Sequence, residues 1–165
     1  MAVDPLNTAE KYSALSGSFA DAPEITATVL GFRIGDLGFL LPISLHCEVI
    51  GHLPVNPIPR VKPWFSGLLN MRGTIVPVVD LYLLPNTVAS PPKKRYLLTI
   101  GRGEKTVALW IDGYPLLLPD MATPLPALPP LPELLQPCVS HAYSHDGQTW
   151  LQAEFGPLFA TLGNS

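Results

Sequence analysis

Charge is scarce in this 165-residue chain: only 14% of residues are Asp, Glu, Lys or Arg, with 10 basic against 13 acidic side chains and a formal charge of −3. An average soluble domain carries about 25%. No basic surplus is available to grip a phosphate backbone, which argues against a nucleic-acid or anionic-membrane binder. Cysteine is nearly absent as well. Cys47 and Cys138 lie far apart with no CxxC partner, which makes neither a disulfide framework nor a metal site. Long apolar runs are missing too, and the N-terminus has acidic residues where a signal peptide needs a basic head. The expected location is the cytoplasm.

What the chain has is apolar content and proline. At 47% hydrophobic residues it can bury a core, and the low charge leaves much of its surface neutral, as binding faces are. Residues 1–24 read as a mobile or loosely docked leader in which residues 8–15 could form a short helix, and residues 25–165 read as one domain. The run TATVLGFRI, a Gly35-Asp36 turn and the return LGFLLPI form a β-hairpin. Four prolines in PVNPIPRVKP make the next stretch an extended surface connector. TIVPVVDLYLL is a strand that Pro77 places at an edge or bulge. RYLLTIG, KTVALWI and YPLLL read as three short strands, the last two separated by an Asp112-Gly113 turn. Residues 115–137 hold eight prolines and many leucines, hence a wrapped polyproline-like segment or an interaction loop. Asp146-Gly147 marks another hairpin, followed by a helical turn from near Gly156-Pro157. At an offset of 74, Gly147, Leu151, Glu154 and Phe155 match Gly73, Pro77, Asp80 and Leu81, which suggests two similar β-units. Eight to ten short strands and at most two short helices indicate an all-β barrel or sandwich.

No motif for catalysis emerges. His141 and His145 are four apart in strand-like text, about 13 Å, too far to share one zinc ion. GRGEK at 101–105 is a tight hairpin rather than a phosphate loop, and no G-x-S-x-G elbow is present. The most informative segment is GLLNMRG at 67–73. Its glycines bracket a corner that presents Asn70 or Arg72 just before a strand. Either Asn70 caps the turn while Arg72 lies along the surface, or Arg72 offers its fork to a partner carboxylate.

GFRIGDLGFLLPISLHCEVI, PIPRVKPWFSGLLNMRGTIVPVVDL and KRYLLTIGRGEKTVALWIDGYPLLLP together resemble the CheW-like family of bacterial chemosensory coupling proteins, over residues 27–162. The resemblance implies two SH3-like five-stranded β-barrels around a shared hydrophobic core. It implies a non-enzymatic adaptor without cofactor or metal, bridging the cytoplasmic tip of methyl-accepting chemoreceptors to the regulatory domain of a CheA-like histidine kinase. Membrane contact would be indirect, through the receptors. The protein-binding residues it implies are Asn70, Met71, Arg72, Gly73, Val76 and Pro77, with Ile75, Val76, Val78 and Leu81 filling or edging the barrel. Tyr82-Leu83-Leu84-Pro85 replaces the usual charged residues after the D-L pair. A coupling protein of a pilus-linked twitching system fits as well as a flagellar one. Two other readings stand beside the adaptor: a ligand-binding or enzymatic β-barrel using His141, His145 and Trp150, and an interaction protein whose PLPALPPLP segment enters an aromatic-lined groove.

Overall fold

A computed structural model describes residues 29–51, 53–87, 89–118 and 123–164. The leader 1–24, with its expected helix, lies outside the described residues. Eleven strands are described: β1 (Val29–Ile34), β2 (Leu37–Leu41), β3 (Cys47–Ile50), β4 (Val55–Asn56), β5 (Phe65–Met71), β6 (Thr74–Val79), β7 (Arg95–Ile100), β8 (Val107–Leu118), β9 (Thr123–Pro124), β10 (Val139–His145) and β11 (Gln148–Ala153). One α-helix follows, α1 (Phe155–Gly163). The class is all-β, and no described helix is long and apolar enough to cross a membrane.

The twelve-residue β8 organises the fold. Its first half pairs with β7 and, in parallel, with β6 at Val78 and Val79, while its second half pairs with β1 from Asp112 to Leu118. Two strand groups therefore share one strand: β3, β4, β5, β6 and β7 on one side of it, β1, β2, β9, β10 and β11 on the other. Among the described residues each group curls without its ladder closing. The strand content is that of the SH3-like class, with the barrels left open.

Asp112-Gly113 is not a turn. β8 runs through it as a bulge, with Gly113 at φ +69° and a register shift against β1 between Gly31 and Arg33. The Asp112 carboxylate, which a turn would use locally, instead accepts from the Gly35 amide at 2.7 Å and the Tyr82 hydroxyl at 2.5 Å. Pro77 sits on β6 just before its pairing with β8 begins, so its missing N–H costs no bond on that side.

The 74-residue offset is present in three dimensions. Adding 74 to the bounds of β5 and β6 gives those of β10 and β11. Both hairpins carry a register shift at the same place, Phe65/Gly67 and Val139/His141. In both, the residue before the first strand accepts from the residue after the second, Trp64 from Asp80 at 2.8 Å and Cys138 from Glu154 at 2.9 Å. Asp80 then caps a 3-10 turn over Leu81–Leu83, and Glu154 precedes α1.

The largest core cluster, including Phe32, Phe39, Leu98, Leu109, Ile111 and Leu151, spans both strand groups. A smaller cluster of Ile50, Leu69, Val76, Val78, Leu97 and Ala108 lies under the β5–β6 hairpin. The proline-rich stretch wraps rather than projects: β9 adds to β10, and Leu125, Leu131, Leu134 and Leu135 pack on the core. Leu128 remains exposed.

Candidate protein-interaction site

The β5–β6 hairpin turns on two residues, Arg72 at φ +51° and Gly73 at φ +87°. Both lie in the left-handed region, the backbone of the tightest hairpin turns, where the first position ordinarily holds Asn, Asp or Gly. The equivalent turn of β10–β11 has such a residue, Asp146 at φ +50° before Gly147. An arginine there bears a backbone cost of about 1 kcal/mol. Asn70 accepts from the Gly73 amide through Oδ1 at 3.0 Å and so fixes the corner. The capping role expected of Asn70 and the surface position of Arg72 therefore hold together.

Arg72 leaves the corner with its side chain 73% exposed and pairs through Nη2 with Glu48 Oε1 on β3, 24 residues away in sequence. The two stand over a polar hollow of about 270 Å³ that also includes His46, Thr74 and Arg102. Met71 is half-buried against the small cluster beneath the hairpin. Ile75, opposite Asn70 in register, is 57% exposed and does not fill the barrel, whereas Val76 is fully buried. Val76 therefore supports this face from beneath and offers no surface to a partner. Pro77 is half-buried opposite Leu68.

Sequence reasoning missed a polar cluster at the junction of the two strand groups. Asp80 accepts from the Tyr82 amide at 3.1 Å and from Arg95 Nη1 at 2.9 Å, while the Tyr82 hydroxyl donates to Asp112. Arg95 also lies over the Tyr82 and Trp110 rings. Burial, reinforced by the bond to Asp112, pushes the Tyr82 hydroxyl up to about 12. Asp80 and Asp112 are thus linked through Tyr82, a connection that no local spacing announces. On β1, burial lowers the Arg33 guanidinium, an effect opposed by Asp36 and Asp112.

The residues of the enzymatic reading are not gathered into a cleft. His141 is exposed, His145 faces Asp146 at 3.4 Å, and Trp150 is buried over Gly31 and Gly38 with Arg33 stacked on it. Among the described residues no group of three or more His, Cys, Asp or Glu is placed to hold a metal ion.

The CheW-like domain profile matches residues 28–151. Protein PilI of Pseudomonas aeruginosa is 32% identical over 124 residues, 74% of this chain and 69% of that protein. Chemotaxis protein CheW of Rhizobium meliloti is 28% identical over 86 residues, 52% of this chain and 56% of its own length. Among solved structures, the scaffolding protein TtCheW of Thermoanaerobacter tengcongensis superposes with a TM-score of 0.59 at 18% identity, over 79% of this chain and 90% of that one, a likeness of fold. The chain belongs to the CheW-like family and is a chemosensory adaptor, not an enzyme.

Proposed function

We propose that this protein bridges the cytoplasmic tip of a chemoreceptor to the regulatory domain of a CheA-like histidine kinase, with Asn70, Met71, Arg72, Gly73 and Pro77 forming or edging one of the two contact faces. The observation that carries the assignment of this face is Arg72 itself. It occupies a left-handed turn position at a backbone cost, is largely exposed, and stands with Glu48 over a polar hollow. A residue that weakens its own turn is retained for its side chain, and a guanidinium fork recognises a partner carboxylate directionally. Exposed Ile75 adds apolar area beside it.

On this reading the adaptor works in the cytoplasm, drawn to the membrane only through receptors. No bond chemistry is involved: holding two partners at once raises the local concentration of kinase at the receptor. The likeness to PilI favours the pilus-linked branch of the family over the flagellar one. Reconstitution tests this. Receptor tip fragments and a CheA-like kinase from the same genome are combined with the wild-type protein or with Arg72→Ala. Receptor-dependent stimulation of kinase autophosphorylation is expected with the wild type and lost with the variant. Equal stimulation without the adaptor would refute the proposal.

A further inference from the structure

The turn that joins β7 to β8, residues 101–106, meets the β5–β6 corner across the polar hollow of about 270 Å³. The Gly101 amide donates to the His46 carbonyl at 2.9 Å, which ties this turn to the chain entering β3. Within the turn the Lys105 amide donates to the Arg102 carbonyl and the Thr106 amide to the Gly103 carbonyl, both at 3.2 Å. Only a single 3-10 turn over Gly103–Lys105 lies here, not the helix that backs a phosphate loop. What the segment contributes is a fixed frame and the side chains of Arg102 and Thr106.

Those side chains have no work inside the fold. Thr106 is 3% exposed and lines the hollow, yet its hydroxyl bonds to none of the described residues. Buried polar groups are ordinarily paired, so an unpaired one on a cavity wall marks a place that a ligand completes. The side chains of Thr74, Arg102 and His46, which share this lining, are likewise without a partner among the described residues. Glu48 is the one carboxylate of the lining, and Arg72 already holds it. Arg72 spends one donor there and keeps the rest of its fork. Donors therefore outnumber free acceptors. With His46 neutral the lining carries a net charge of +1, opposite in sign to the chain's −3.

The donors reach the hollow from three sides: the approach to β3, the β5–β6 corner and the β7–β8 turn. Such convergence suits a tetrahedral oxyanion, whose oxygens point in several directions, better than a carboxylate, whose lone pairs lie in one plane. At about 30 Å³ per water the volume admits a phosphate group together with a few waters or a short ester arm. We propose that this hollow binds a phosphate group, free or carried as a monoester by a small molecule, through Arg102, Thr106, Thr74 and the remaining donors of Arg72. The inference needs neither kinase nor receptor and stands apart from the adaptor assignment.

Amide-shift titration of the full chain by NMR tests it, at constant ionic strength, with inorganic phosphate, glycerol 3-phosphate, acetate and chloride as probes. The wild type should saturate with phosphate or its monoester at a Kd in the millimolar range or tighter, with shifts centred on residues 101–106 and Thr74. Whichever of the two binds more tightly identifies the source of the group. Acetate should bind at least about tenfold more weakly, and chloride should not saturate. Arg102→Ala should weaken phosphate binding at least about tenfold, and Thr106→Val, which keeps the side chain's shape, at least about threefold. Lys93→Ala/Lys94→Ala removes two exposed cations outside the hollow and should leave Kd unchanged. No saturation with either phosphate would overturn the proposal, as would a Kd that neither hollow variant moves. An equal loss in the lysine variant would reveal general attraction to cations, and acetate binding as tight as phosphate would assign the hollow to carboxylates; each equally overturns it.

Discussion

Replacing Arg72 by asparagine separates what the β5–β6 corner does for stability from what it does for binding. Asn is at home in the left-handed position that Arg72 occupies, so the turn should gain about 1 kcal/mol. The loss of the ion pair to Glu48 offsets this by no more than about 1 kcal/mol, because both side chains face solvent and exposed pairs contribute little. Arg72→Asn should therefore keep its urea midpoint, with a melting temperature within about 4 °C of wild type for a domain of this size. Binding should respond very differently. If Arg72 anchors an interface, its loss costs at least about 2 kcal/mol, roughly thirtyfold in Kd for the kinase regulatory domain or the receptor tip. Glu48→Gln completes the test by releasing Arg72 without removing it, and affinity should be unchanged or higher. Calorimetry and urea titration on the same samples read both quantities. Unchanged affinity for both partners in Arg72→Asn would refute the assignment of this face. A Glu48→Gln loss as large as the arginine's would show that the pair, not the guanidinium, is what the partner recognises.

Gly38→Ala should destabilise by about 1–3 kcal/mol, since its Cβ would lie 2.3 Å from Cε3 of the buried Trp150, whereas Gly51→Ala, with open space around it, should stay within about 0.5 kcal/mol. Urea unfolding of the two variants checks the contrast, and equal effects would contradict the packing described. The raised Tyr82 hydroxyl predicts a stability that is fully present below pH 10 and falls as pH rises towards 12, because the unfolded chain gives up this proton first. Tyr82→Phe should remove up to about 3 kcal/mol of that decline over the same interval, and a slope identical to wild type would refute the assignment. Arg72→Ala should fold normally by circular dichroism while losing receptor-coupled kinase stimulation; an unfolded variant would make Arg72 a structural residue.

Much of the fold is legible where local chemistry dictates it. Gly35-Asp36 and Asp146-Gly147 close hairpins because Gly35, Asp146 and Gly147 take a left-handed backbone that suits few residues, and the proline-rich connector joins the sheet only as the two-residue edge strand β4 because proline cannot donate to a ladder. The repeat is readable for the same reason, as turn and cap residues recur at fixed positions. Asp112-Gly113 misleads because its turn chemistry is local while its carboxylate is claimed by Gly35 and Tyr82, 77 and 30 residues away. The same limit hides Glu48 as the partner of Arg72. Nothing near either residue in sequence points to the other, and only the pairing of β3 with β7 and the turn of β5 into β6 bring them together. Val76 illustrates the opposite error. It lies within the segment that resembles the family's coupling region, yet strand alternation turns it inward while its neighbour Ile75 faces out.

The most direct test of the account is calorimetric titration of the purified full chain with the regulatory domain of a CheA-like kinase from the same genome. The account predicts saturable binding with a Kd in the micromolar range or tighter. Absence of binding by a sample that unfolds cooperatively, and is therefore folded, would contradict it.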